Sequence, residues 1–492
     1  MMGIQDMNKV RRLWAEDRVA IGAHVKIPTP ALVLAAAEAG CAFVRFDLYH
    51  WPYNQQTLEA LTNAARSASI SPWVRCRNDA NEITRSLQMG VEGFMIPCVG
   101  SAEEARHAAK ALSACAGSER PILACAIENS SGLNNFDEII AVKEVDIIST
   151  GPSDLAFALG ISDRWDPRVR RLYDEVLAKG LAAGKQIYMT GQSNPESVQR
   201  LKGWVERGLR VINIEEEYHI ETRSYRPLIE ELRRGSATDT STGESGRHVM
   251  KNRLGNEQTV VGMALSFTPP ATVDVASLMA PDFVLFENAF DETGQETLEN
   301  LIRAAVSHNI VPWAKCENDP YQIMRTLDLG ATALTVLNVN SKEAALQCIR
   351  SAWFPPCGDR EANRPYRTQH IPAAAYGEWS RQHTFIACEI SDQKGLLNAL
   401  QIADTDGVDA IVVDVRRLKA GMNVLRDLAD YLQPLGKHLM VEGWPEPGLL
   451  RMQAELGAKL IVLGPERDKI AATFSQMVSE LSGIRIALPL GL

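Results

Sequence analysis

Residues 72–90, PWVRCRNDANEITRSLQMG, return without a gap as PWAKCENDPYQIMRTLDLG at residues 312–330, 240 positions later. Self-similarity of this kind marks a duplicated structural unit. The same spacing pairs Gly22 with Gly262, Pro30 with Pro270 and Asp47 with Glu287. Further on, ACAIENSSGLNN at 124–135 returns as ACEISDQKGLLN at 387–398, now 263 positions later, so the copies differ by 23 residues in between. The extra piece lies in the Pro- and Arg-rich stretch 353–377. Two domains are therefore expected, at 8–234 and 258–484. The Gly-, Ser- and Thr-rich segment 235–257 reads as the linker between them.

Within the first copy, β-rich runs alternate with helical stretches. Strands are predicted at 19–25, 42–48, 71–76, 93–99, 121–128, 145–151, 185–191 and 210–215. Eight strand–helix units in one copy are what a (β/α)8 barrel requires. A doubly wound open sheet would carry a Gly-rich phosphate turn after its first strand, and the sequence has none. The fold expected is α/β, two tandem (β/α)8 barrels forming an internal pseudo-dimer.

Bulk composition narrows the function. A net charge of −10 argues against nucleic-acid binding and against a basic membrane surface. The nine cysteines form no C-x-x-C pair, which excludes the common zinc and redox motifs and fits a reducing cytoplasm. No run has the length of a signal peptide or a membrane span, so a soluble cytoplasmic protein is expected.

The barrel lets polar residues be read by strand end. Asp47 and His50 follow the second strand, Arg75 ends the third, Glu128 ends the fifth, and Asp154 follows the sixth in GPSDLAFALG. All five fall on the carboxyl-terminal rim, where barrel enzymes place their chemistry. Glu128 and Asp154 come from neighbouring strands, and two oxygen ligands without Cys or His suit a hard divalent cation, Mg²⁺ or Mn²⁺. Arg75 beside it suits a substrate carboxylate or a developing enolate, and His50 a general base. The alternatives are a structural Arg75–Glu128 ion pair and Asp154 as a helix N-cap.

The first copy resembles the HpcH/HpaI class II, metal-dependent 2-oxo-acid aldolases. The resemblance rests on D-x-x-H-x-P-x-N, V-R-x-x-x-(N)D, I-E-x-x-x-G-x-x-N-x-D-E-I and G-P-x-D-L-x-x-x-L-G, in that order, and on VEGFMIPCVGSAEEA between the second and third. It implies a metal at Glu128 and Asp154, and pyruvate or its enolate at Arg75, with Trp51, Pro152 and Ser153 binding substrate. It also implies Asp47 and His50 as catalytic groups and reversible aldol cleavage of a 4-hydroxy-2-oxo acid to pyruvate and an aldehyde. Oxaloacetate-type decarboxylation or another C–C lyase or ligase step at the same site, and a non-catalytic scaffold, are the alternatives. Trp51 and Tyr53 hint at a larger or more apolar aldehyde. The chain departs from the family pattern at Ala126, at Gln88 and in a missing Arg-containing loop.

In the second copy, His50 is replaced by Phe290, Arg75 by Lys315, Glu128 by Ser391 and Asp154 by Arg417. No metal site is expected there. It keeps Asp328 where the first copy has Gln88, and in the resembled family that aspartate reaches the neighbouring subunit's His. Asp328 is thus expected to serve His50 in trans; the alternative is a solvated helix residue on a structural remnant. The family's assembly implies a homo-oligomer, a trimer of two-barrel chains, or else a monomeric pseudo-dimer. It further implies exchanged C-terminal helices, with 221–234 packing on the second barrel and 468–482 on the first.

Overall fold

In the computed structural model, β1 (Ala20–Val25), β2 (Phe43–Asp47), β3 (Ser71–Arg75) and β4 (Gly93–Ile96) lie side by side. They continue into β5 (Ile122–Ala126), β6 (Ile147–Ser149), β7 (Gln186–Gly191) and β8 (Val211–Ile214). All eight pair in parallel, and β8 returns to β1 to close the barrel. The eight sequence-predicted strands are all present, each trimmed by a residue or more at its ends. The structure describes residues 8–51, 53–113, 120–163, 166–215, 217–233, 246–256, 258–287, 294–360, 371–418, 420–443, 448, 452 and 455–482.

Alternate strand residues point into the barrel, and their sizes explain two glycines. A Cβ on Gly22 would lie 2.3 Å from the Phe43 ring, and one on Gly93 would lie 2.5 Å from the Trp73 indole. Phe43 and Trp73 stack at 4.2 Å between centroids and fill the amino-terminal end. The helix Lys9–Ala15 seals that end, with Val10 in the same buried cluster. At the other rim, short loops end on polar caps: Asn54 accepts from Thr57 N, Asp79 from Glu82 N and Asn129 from Gly132 N. Each such cap is worth about 1 kcal/mol and fixes where a strand hands over to its helix.

The second copy repeats the pattern with β9 (Val260–Leu265), β10 (Phe283–Phe286), β11 (Val311–Cys316) and β12 (Ala333–Val336). It goes on through β13 (Phe385–Ile390), β14 (Ala410–Asp414), β15 (His438–Glu442) and β16 (Leu460–Leu463). The sheet runs from β16 through β9 to β15, so β15 and β16 are the one adjacent pair without ladder hydrogen bonds. Gly262 meets Phe283 at 2.3 Å just as Gly22 meets Phe43.

The stretch expected as linker is only partly one. Gly246–Gly255 is a helix, and its Met250 and Leu254 are buried with Phe283 and Trp313 at the amino-terminal end of the second barrel. It plays the part that Lys9–Ala15 plays in the first. The Gly and Ser content upstream conceals a short apolar i, i+4 pair. Residues 234–245 lie outside the described residues.

The chain forms two compact units that are not contiguous in sequence. Residues up to Ile220 group with those from Ile470 onward, and Glu221–Lys469 form the other unit. Tyr225, Ile229 and Leu232 accordingly share a buried cluster with Val261, Met263 and Val284 of the second barrel. In the first unit a Cβ on Gly40 would lie 3.5 Å from Val478, and one on Gly191 3.5 Å from Met477. Each unit thus includes the helix that closes the other copy, as the resemblance implies.

Candidate active site

Asp47 is fully buried at the end of β2. Its Oδ1 accepts from Arg75 Nε at 3.0 Å, and its Oδ2 from Arg75 Nη2. The same Oδ1 also accepts the backbone N–H of Tyr49 at 3.2 Å and of His50 at 3.3 Å. One carboxylate therefore anchors both the arginine and the turn that carries the histidine. Burial by itself raises the Asp47 carboxyl, but the Arg75 hydrogen bonds and charge, with Arg45 and His24 adding, hold it below its usual range. Asp47 thus occupies the Nε–Nη2 edge of Arg75 and leaves its Nη1 without a hydrogen bond among the described residues. The alternative Arg75–Glu128 ion pair is not formed within bonding distance; Asp47 takes that place.

Glu128 lies two residues past β5. Its Oε2 accepts from Cys98 N at 3.2 Å and lies 3.5 Å from Cys98 Sγ. Cys98 was not singled out from the sequence. It has φ of 54°, a left-handed backbone that costs a non-glycine residue roughly 1 kcal/mol. Asn338, at the matching position of the second copy, has φ of 59°, so the bend belongs to the fold and only the thiol is particular to the first barrel.

Asp154 sits in the first turn of the helix Pro152–Ala158. The N-cap is Gly151, not Asp154, and it makes no side-chain cap. A Cβ on Gly151 would lie 2.3 Å from Asp154 Oδ2, so the aspartate folds back over a position only glycine can fill. Desolvation pushes the Asp154 carboxyl up, and the charge of Glu128 adds to it, while Arg75 and His50 pull the other way. Glu128, Arg75 and His50 thus all act on the one carboxylate of Asp154 at the rim. Two mutually repelling carboxylates at one rim fit a divalent cation. Among the described residues no group of three or more His, Cys, Asp or Glu side chains is placed to hold a metal, so water and substrate would complete the coordination.

His50 is exposed and packs edge-on against Tyr49, with ring centroids 4.8 Å apart. Trp51 is half-buried beneath Lys26, whose Nζ is 5.1 Å from the indole centroid. Ser153 is exposed in the helix turn before Asp154, and the side chain of Pro152 lies outside the described residues. The Tyr53 hydroxyl donates to the Val25 carbonyl at 2.7 Å and the Lys26 carbonyl at 3.1 Å, which ties the loop to β1. Its hydroxyl is therefore committed to the backbone.

The mouth of the second barrel is filled by its own charges. Lys315 Nζ lies 2.6 Å from Glu442 and 3.7 Å from Glu287, and Arg417 reaches Glu389 at 3.2 Å. Burial pushes Glu389 up to about 7, against the pull of Lys315. Ser391 is bonded to Asn340 through both its hydroxyl and its N–H. Asp328 is not a solvated helix residue: its side chain is 3% exposed and pairs with buried Arg360 at 2.6 Å.

A family model described as HpcH/HpaI aldolase/citrate lyase matches residues 21–211. A hydroxypyruvate/pyruvate aldolase of Rhizorhabdus wittichii is 29% identical over 207 residues, 37% of this chain and 82% of that protein. A 5-keto-4-deoxy-D-glucarate aldolase of Shigella sonnei is 26% identical over 246 residues, 46% of this chain and 96% of that protein. The crystal structure of an HpcH/HpaI aldolase from Desulfitobacterium hafniense is 21% identical, covering 47% of this chain and all of that one at a TM-score of 0.43. Among the described residues no helix is long and apolar enough to cross a membrane.

Proposed function

We propose, from the match of residues 21–211 to the HpcH/HpaI aldolase/citrate lyase family model, that the first barrel is a divalent-metal-dependent aldolase. Its substrate class is a 4-hydroxy-2-oxo acid, cleaved to pyruvate and an aldehyde or formed from them. The observation that carries this reading is the shared rim of Asp47–Arg75, His50, Glu128 and Asp154 within the matched segment.

Glu128 and Asp154 would hold the cation, which when bound supplies charge stabilisation to the oxygen of the 2-oxo group. Arg75, locked by Asp47, turns its free Nη1 side to the substrate carboxylate and so fixes the 2-oxo acid in one orientation. His50 takes the proton from the C4 hydroxyl. The C3–C4 bond then breaks, its electron pair passes into the enolate of pyruvate, and the aldehyde leaves. A proton delivered to C3 completes pyruvate. The second barrel lacks both carboxylates, so one cation per chain is expected. The chain is proposed to work as a trimer, as the resemblance implies, with a small-molecule 2-oxo acid and aldehyde as its partners.

The test is proton exchange. The protein incubated with Mg²⁺ and pyruvate in D2O should wash deuterium into the pyruvate methyl group, and chelator should stop it. No exchange above a protein-free control would overturn the aldolase reading.

A further inference from the structure

The amino-terminal end of the first barrel holds a cavity of about 630 Å³, at the opposite end from the rim where a barrel places its chemistry. Its walls are the helix Lys9–Ala15, the start of β1, the turn into β2 and, through Val478, the last helix. All of these belong to one compact unit. Three cations line the cavity, Lys9, Arg12 and Arg18, against one acid, Glu16.

These charges do not cancel. Glu16 is taken by Arg18 at 3.0 Å, and Asp17 beside it by Arg210 at 2.7 Å. Glu38 and Glu480, the acids two residues from Gly40 and Val478, do not line the cavity. Among the described residues, Lys9 Nζ donates to the Cys41 carbonyl at 3.0 Å and to nothing else, and Arg12 makes no hydrogen bond or ion pair. Burial lowers the Lys9 ammonium, the Cys41 thiol pulls the other way, and Arg12 adds to the lowering. Burial pushes Cys41 itself up to about 12, so it stays a neutral thiol. Lys9 and Arg12 are thus two half-buried cations, three residues apart on one helix face, that repel each other without a counter-charge.

The second copy does not carry these cations. Both copies seal this end with a helix, and the pair Arg11–Asp146 returns as Lys251–Asp409. In that alignment Lys9 becomes Val249, Arg12 becomes Asn252 and Arg18 becomes Gln258. The cations that the second copy does place here, Arg253 and Arg233, both meet Asp282. The first copy has Ala42 in the place of Asp282. The barrel framework therefore folds without Lys9 and Arg12, and only the first copy leaves cations here without an acid.

We propose that this cavity is an anion-binding site, separate from the barrel mouth, and that its ligand is a small organic phosphate monoester. Two adjacent cations without a counter-charge suit one doubly charged head group, and a guanidinium grips phosphate oxygens in a fork. Val19, Ile21 and Val478 give the organic body an apolar wall. A singly charged carboxylate would leave one cation unanswered. The proposal stands apart from the aldolase reading.

The experiment is calorimetric titration of the full chain, at fixed ionic strength, with phenyl phosphate, inorganic phosphate and benzoate. Phenyl phosphate should saturate one site per chain and bind about ten-fold or more tightly than benzoate, which has the same ring and a single charge. Inorganic phosphate should bind more weakly than phenyl phosphate, because it lacks the ring. The variant K9V/R12N, which carries the second copy's residues, should unfold at the wild-type temperature and bind phenyl phosphate about ten-fold or more weakly. Should it not fold, Arg12→Asn alone carries the same test, since that side chain has no partner to lose. Absence of saturable binding to the wild type would overturn the proposal. So would unaltered affinity in a folded variant, which would put the anion elsewhere, or benzoate binding as tightly as phenyl phosphate. Equal affinity for inorganic and phenyl phosphate would overturn the monoester as the ligand.

Discussion

His50 and Glu128 are separable by what each loss leaves behind. His50 shares no contact with Glu128, and its backbone rests on Asp47. His50→Ala should therefore lower turnover by roughly two to four orders of magnitude while metal affinity stays near that of the wild type. Glu128→Ala should abolish both, since a single carboxylate is a poor site for a strongly hydrated ion. Kinetics beside a metal titration check the pair, and a His50→Ala protein with full turnover would remove His50 from the chemistry. Asp328 calls for a different measurement. With its carboxylate against buried Arg360, Asp328→Asn leaves a guanidinium without its counter-charge inside the protein, a change of about 3–5 kcal/mol. Thermal unfolding should show the second unit weakened. An unchanged transition would mean that the Asp328–Arg360 pair contributes little.

At the scale of elements, the last helix, Glu466–Ser482, is the most exacting piece of the chain. Ile470, Phe474, Met477 and Leu481 are each 2% exposed or less, and they belong to the unit that begins with the first barrel. Burying four such side chains is worth roughly 6–12 kcal/mol at 1.5–3 kcal/mol apiece. That is comparable with the entire stability of an ordinary domain. A chain ending at Lys469 should therefore lose the cooperative unfolding of the first unit, although the truncation lies more than 250 residues beyond its last strand. Circular dichroism on heating checks this; a first-unit transition that survives intact would show the helix to be dispensable.

For the whole molecule, pH acts unequally on the two units. His438 opens β15 and faces Phe385, with ring centroids 6.5 Å apart. Burial pushes its imidazole down to about 4 from its ordinary 6.5. Between those values the unfolded chain binds a proton that the folded one refuses, so stability is lost as pH falls through that window and is regained above it. At the matching strand position the first barrel carries Gln186, which does not titrate. His438→Gln should accordingly flatten the acid-side loss of the second unit between pH 6.5 and 4, measured by urea unfolding. Parallel slopes for variant and wild type would exclude His438 as the cause.

The eight strand–helix units, their duplication and the rim position of Asp47, His50, Arg75, Glu128 and Asp154 were all legible in the sequence. Strand period is a local property, and a repeat is visible as text. That the second copy carries Ser391 and Arg417 where the first has Glu128 and Asp154 was legible for the same reason. The helix Gly246–Gly255 was missed because two buried side chains in a Gly- and Ser-rich stretch carry little periodic signal. Partners were decided only by tertiary structure. Alternation puts Asp47 and Arg45 on the inner face of β2, but not that Asp47 binds Arg75, 28 residues away, while Arg45 has only His24 and soft neighbours. Nor does it say that a bent backbone turns Cys98 onto Glu128, or that Arg360 takes Asp328. A side chain's facing follows from its own strand, whereas its partner depends on distances that closing the barrel alone creates.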